Sequence, residues 1–113
     1  MKNSKLAARF FRTARGNEPV REWLKSLPSE ERKIIGVDIA DVQYAWPVGM
    51  PLVRNLGDGI WEVRSNLGDR IARVLFILQE NQMILLHGFI KKTGKTPQSD
   101  IELAKRRAKA LRR

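Results

Sequence analysis

The sequence predicts an α+β domain in which a small antiparallel sheet is packed by two N-terminal helices and one C-terminal helix. Three observations lead there. Two stretches before residue 47 carry apolar residues at helical spacing, and three short β-rich runs follow one another between residues 60 and 90. A last helical pattern begins after Thr96-Pro97. With 113 residues the chain fits one domain, 1–113, with a single modest core.

The opening LAARFFRT alternates loosely and fits a further strand or a helix; the sheet expected is a three-strand meander with that strand added. Asn17-Glu18-Pro19 has the character of a helix start, with a capping residue, an acid at the positive end, and proline where its missing N–H is harmless. Val20, Trp23, Leu24 and Leu27 then fall on one face, and Pro28 stops the run. Ser29, Glu30 and Glu31 start a second helix, whose stripe is Ile35, Ile39, Val42 and Trp46 before Pro47. Residues 47–59, PVGMPLVRNLGDG, are expected to be a glycine- and proline-punctuated connection. IWEVRS (60–65), RIARVLFIL (70–78) and MILLHGFI (83–90) are the strand runs, split by NLGD and QENQ. The final helix carries Ile101, Ala104, Ala108 and Leu111 on one side and a basic opposite face.

Symmetric turns would put Trp61, Val63, Ala72, Val74, Phe76, Leu85, His87 and Phe89 on one core face. Glu62, Arg64, Arg73 and Gly88 would share the other, with Glu62 and Gly88 both opposite Arg73 and Lys92 just beyond. That face is expected to stay uncovered. Glu62–Arg73 could be an ordinary cross-strand ion pair. Arg64, Arg73, Lys91 and Lys92 gathered at one sheet end, however, repel one another unless an anion joins them. His87 and the three tryptophans are expected to be core residues.

Charge adds to this. The net is +10, and residues 91–113 hold +7 of it, from nine basic and two acidic residues. A basic end of that kind suits a polyanion such as nucleic acid, or is simply a solvated tail. There is no cysteine and one histidine, which leaves zinc without its common ligands, and neither a metal nor a cofactor is expected. No apolar run approaches membrane-spanning length, and no signal peptide opens the chain, so a cytoplasmic protein is expected. Gly94-Lys95-Thr96 has the closing letters of a nucleotide-binding loop, but that loop needs a glycine where Phe89 stands. Instead, Lys91, Lys92 and Lys95 precede a helix N-terminus, an arrangement that favours a phosphate.

GNEPVREWLKSLP, WPVGMPLVRNLGDGIWEVRS, RIARVLFIL and LLHGFIKKTGKTP…IELAKRR together resemble the HigB-like, phage-associated branch of the RelE superfamily of toxins. The resemblance covers nearly the whole chain and implies a RelE-like α+β fold. It also implies an mRNA endonuclease that works on messages in the ribosome, and a hetero-oligomer with a neutralising antitoxin, often a helix-turn-helix, HigA-like protein. The chemistry implied is attack of the RNA 2′-hydroxyl on the adjacent phosphate, aided by positioning and cationic stabilisation. Carried over by motif, Arg64 and Arg73 clamp the scissile phosphate, and Lys92, alone or with Lys91, stabilises charge or protonates the leaving oxygen. Lys95, Lys105, Arg106 and Arg107 would hold flanking phosphates. Two departures stand out: Glu62 occupies a place where such nucleases often have a second basic residue, and the tyrosine that many use near the C-terminus to stack a base is missing, the only tyrosine being Tyr44 in the second helix. Glu62 is therefore a candidate acceptor for the 2′-hydroxyl proton. Two other functions stand beside it: a ParE-like toxin of the same fold, which the resemblance also implies and which binds DNA gyrase without cleaving, and a basic nucleic-acid-binding module, which the charge alone would suit.

Overall fold

The structure, a computed structural model, describes residues 5–92 and 94–111. Arg112 and Arg113, counted in the basic C-terminal charge, lie outside the described residues. Along the chain come β1 (Ala7–Phe10), α1 (Pro19–Ser26), α2 (Ser29–Ala45), β2 (Val53–Gly57), β3 (Ile60–Asn66), β4 (Ile71–Gln79), β5 (Gln82–Lys91) and α3 (Gln98–Leu111). The strands form one sheet in the order β1-β5-β4-β3-β2. This α+β architecture is compatible with a RelE-like fold, with two departures from the expected sheet.

The sheet has five strands rather than four, and it is mixed rather than antiparallel. Within the stretch expected to be a connection, β2 pairs with β3 across a tight turn at Asp58-Gly59, whose φ values are 53° and 79°. Asp-Gly is the dipeptide that such a left-handed two-residue turn selects. At the other edge, β1 runs parallel to β5. Long stretches of chain separate those two strands, so no hairpin dictates their direction.

Helix α1 begins with Pro19 at its first turn, and the Glu22 carboxylate accepts the Glu18 N–H at 3.3 Å. Val20 of α1 and Ile35, Ile39 and Val42 of α2 are buried against Val63, Ala72, Val74, Phe76 and Leu85 of the sheet. Trp46 meets Trp61 edge-on with centroids 5.0 Å apart. Each large apolar side chain buried here contributes roughly 1.5–3 kcal/mol. The opposite face is covered too. Ile60, Leu75, Ile77, Ile84 and Leu86 form a second core under Ala104 and Ala108 of α3.

The second core depends on a bulge. Near the β4–β5 turn, Phe76 faces Leu85 and Ile77 faces Ile84; beyond it, Leu75 faces His87 and Arg73 faces Phe89. Leu86 is the extra residue, and a one-residue slip exchanges the faces of everything that follows. The expected placement of His87 and Phe89 on the α1/α2 face is thereby corrected: both turn towards α3. Gly88, expected beside Arg73, lies opposite Val74 and beneath α1.

There the Trp23 ring rests on the Gly88 backbone, and an added Cβ would run into it. Gly88→Ala is therefore expected to destabilise the fold by about 1–3 kcal/mol, the usual penalty for overpacking. Urea denaturation of both proteins measures it, and equal midpoints would mean that Trp23 swings aside freely.

Candidate functional site

The β3–β4 hairpin turns through Gly68-Asp69, with Leu67 N–H bonded to the Arg70 carbonyl at 2.9 Å and Gly68 at φ 102°. This sets Arg64 directly opposite Arg73 and Glu62 opposite Leu75. The register differs by two residues from that expected, so the direct Glu62–Arg73 pairing is corrected. The faces are unchanged, because a two-residue shift restores side-chain direction. Arg54 of β2 stands opposite Glu62 on the other side. Three arginines thus surround one carboxylate on the α3 face.

That face is not open. Glu62 and Arg73 are both 0% exposed, which corrects the expectation of an uncovered arginine pair. What covers them is the segment leading into α3, through the buried Thr96. The Thr96 hydroxyl accepts from Arg73 Nη1 at 3.3 Å and donates to a Glu62 carboxylate oxygen. Glu62 Oε1 lies 3.8 Å from Arg64 Nε. Glu62 Oε1, Arg73 Nε and Arg73 Nη2 have no hydrogen-bond partner among the described residues. Burial holds the Arg73 guanidinium below the usual arginine range, Arg64 pushes the same way, Glu62 opposes, and Arg54 adds to the lowering. Arg73 stays charged at neutral pH all the same.

Arg64 differs from Arg73 in reach, with 17% of its side chain exposed. It lines a cleft of about 680 Å³ at the sheet end, together with Asn66, Arg70 and Lys92. Lys95 and Thr96 line a second cleft with Arg54, Asn55 and Gln98. Lys91, Lys92 and Lys95 are all exposed, but Lys91 is also engaged, its Nζ donating to the Lys95 carbonyl at 3.1 Å. The structure therefore brings Arg64 and Lys92 together, sets Lys95 on a neighbouring cleft, and uses Lys91 to brace the intervening bend.

The α3 start carries its own acid. Asp100 in the first turn meets His87 Nε2 at 2.6 Å, and the His87 ring stacks on Phe89. His87 is thus hydrogen-bonded and half-buried, though on the other face from the one expected. Further along α3 the basic residues separate by role. Lys105 pairs with Asp58 at 2.8 Å, which holds the Asp58 carboxyl below its ordinary value and raises the Lys105 ammonium. Arg107 donates to the Leu86 carbonyl at 2.6 Å and lies over the Phe11 ring. That carbonyl belongs to the bulged residue. Burial, then Arg106, pulls the Arg107 guanidinium below its usual range. Of the three α3 residues expected to hold phosphates, only Arg106 stands exposed without a partner among the described residues.

Sequence reasoning missed Arg54, because its strand was not recognised, and Thr96, because the GKT letters drew attention to the lysine. Among the described residues, no three His, Cys, Asp or Glu side chains gather as metal ligands would, and no helix is long and apolar enough to cross a membrane.

Compared with known families, residues 22–109 match the family described as Phage derived protein Gp49-like (DUF891). A comparison with curated proteins returned no match.

The division of labour along α3 is open to measurement. Arg107→Ala should lower stability by about 1.5–3 kcal/mol, the range for a hydrogen bond to a charged group. Arg106→Ala, at the exposed neighbouring position, should stay within about 0.5 kcal/mol of the parent. Denaturant unfolding of both variants checks this, and equal losses would contradict a structural role specific to Arg107.

Proposed function

The chain belongs to the phage-derived Gp49-like family, a RelE/HigB-like toxin family in general, and from that premise we propose that it is a ribosome-dependent mRNA endonuclease. Toxins of this family generally pair with an antitoxin, and the partner proposed here is a helix-turn-helix protein that neutralises it in a hetero-oligomer.

The observation that carries the nuclease reading is the pairing of Arg64 with Lys92 in one cleft, with Arg64 anchored from below by a buried carboxylate. Cleavage by the RNA 2′-hydroxyl forms a bond from that oxygen to the adjacent phosphorus and breaks the bond to the 5′-oxygen, while the 2′-hydroxyl proton passes to solvent water in the open cleft. The products are a 2′,3′-cyclic phosphate and a 5′-hydroxyl. Negative charge builds on the phosphoryl oxygens during the displacement, and a preorganised cation stabilises it without reorganising solvent. Arg64 is the guanidinium with both the reach and the support for that task. Lys92 supplies the proton to the leaving 5′-oxygen. Lys95 holds the backbone beyond the scissile bond, and Lys91 keeps the bend that presents both lysines.

Glu62 and Arg73 enter differently. Neither has surface of its own, so in this arrangement they act through Arg64: Glu62 as its anchor, Arg73 as the positive charge facing it. Glu62 is fully buried, so the 2′-hydroxyl of a bound RNA cannot reach it.

Induced expression followed by mapping of 5′ ends on cellular mRNA tests the proposal. Cuts in phase with the reading frame are expected, and Arg64→Ala should reduce them by about 10²–10³-fold, the usual loss on removing one transition-state donor. Growth arrest with intact messages would overturn the nuclease reading, and DNA damage in those cells would point to gyrase instead.

A further inference from the structure

Thr96 is buried, and its hydroxyl touches both of the sealed charges, Arg73 on one side and Glu62 on the other. A hydroxyl has one proton to give and lone pairs to receive. A guanidinium can only donate, so Arg73 must take the lone pair, and the single proton goes to Glu62. The polarity of the bridge is thus fixed by chemistry. Pro97 follows, which restricts Thr96 to extended backbone and presents its side chain from a constrained position at the entrance to α3.

We propose that Thr96 is a positioning residue of the cleavage site, its hydroxyl holding Glu62 where that carboxylate anchors Arg64 on the RNA phosphate. The inference rests on the nuclease reading above. With the bridge in place, one Glu62 oxygen is occupied by Thr96 and the other faces Arg64 Nε at 3.8 Å. Remove the hydroxyl, and a fully buried carboxylate and a fully buried guanidinium lose the partner they share. Opposite charges withdrawn from water then pull directly together. Glu62 turns towards Arg73, Arg64 loses its anchor, and the guanidinium at the cleft is left to wander. The bland alternative is that Thr96 merely pins the start of α3 to the sheet, in which case stability falls and chemistry does not.

The test uses the full chain and ribosomes programmed with a defined message. Thr96→Val keeps the shape and removes the hydroxyl. Misplacing a reacting group by about 1 Å typically loses about 10²-fold in rate, so kcat should fall about ten- to a hundred-fold while KM stays within about two-fold. Thr96→Ser restores the hydroxyl and should recover kcat to within about three-fold of the parent. Circular dichroism and thermal melting establish that each variant is folded. Should Thr96→Val fail to fold, Thr96→Ala serves as the hydroxyl-free variant, with the same loss expected. A folded hydroxyl-free variant with parental kcat would overturn the proposal, as would a folded Thr96→Ser as slow as the hydroxyl-free form. A parent protein that leaves the programmed message uncut would instead bring down the nuclease reading itself, and this inference with it.

Discussion

Glu62 and Arg73 have no contact with water, and a buried charge is tolerated only where it is paired and hydrogen-bonded. The strand neighbours do not meet that need in full. Glu62 faces Leu75 on one side and Arg54 on the other, with no ion pair to Arg54 among the described residues, and Arg73 lies between Phe89 and Arg64, a like charge that makes matters worse. The missing partner has to come from above the sheet, and it arrives as Thr96. Because Thr96 must come down onto β3 and β4, the helix that follows is committed to that face. Its small residues Ala104 and Ala108 then pack closely over Leu75, Ile77 and Leu86. The satisfaction is incomplete, since Arg73 Nε, Arg73 Nη2 and Glu62 Oε1 are left without partners among the described residues. Each such group costs about 1–3 kcal/mol, a penalty that the two apolar cores offset.

The same face explains what the large positive charge can and cannot do. A net charge of +10 draws a polyanion in from a distance, although salt screens that attraction within about 8–10 Å under ordinary conditions. Contact is a separate matter. Lys105 is occupied by Asp58, Arg107 by the Leu86 carbonyl, and Lys91 by the Lys95 carbonyl. Lys92, Lys95, Arg106 and Lys109 are the exposed cations of the C-terminal stretch that make no such contact among the described residues. Much of the basic composition therefore serves the fold.

Periodicity explains which features were legible in the sequence. Helices α1 and α2 were, because proline and acidic residues mark their starts and a 3.6-residue stripe marks their buried side. The arginine face of β3 and β4 survived an error of two residues in register, since the side-chain period is two. His87, Phe89 and Gly88 did not survive the bulge at Leu86, which shifts the register by one. Nothing local in LLHGF announces that bulge; its carbonyl is met by Arg107, twenty-one residues further on. The β2 strand was obscured by prolines and glycines, although Asp58-Gly59 between apolar residues is a hairpin signal in its own right. Burial of Glu62 and Arg73 depends on where α3 lands, a long-range fact that no window of the chain contains.

Why Arg64 rather than Arg73 reaches a cleft follows from position in the sheet. Arg73 sits on the central strand β4, with Arg64 on one side and Phe89 on the other, so side chains wall it in along the sheet and Thr96 closes it from above. Arg64 sits one strand nearer the edge. There the β2–β3 ladder ends at Val53 and Val63, and beyond it the Arg64 N–H donates to the Leu52 carbonyl at 2.8 Å. Its side chain lines the cleft with Leu52, Asn66, Arg70 and Lys92 while Glu62 holds it from beneath. Two arginines that look equivalent in the sequence, on one face and directly opposite each other, are thus separated into a reaching group and a sealed one. The place of each strand in the sheet, and the landing of Thr96 on the central one, decide which is which.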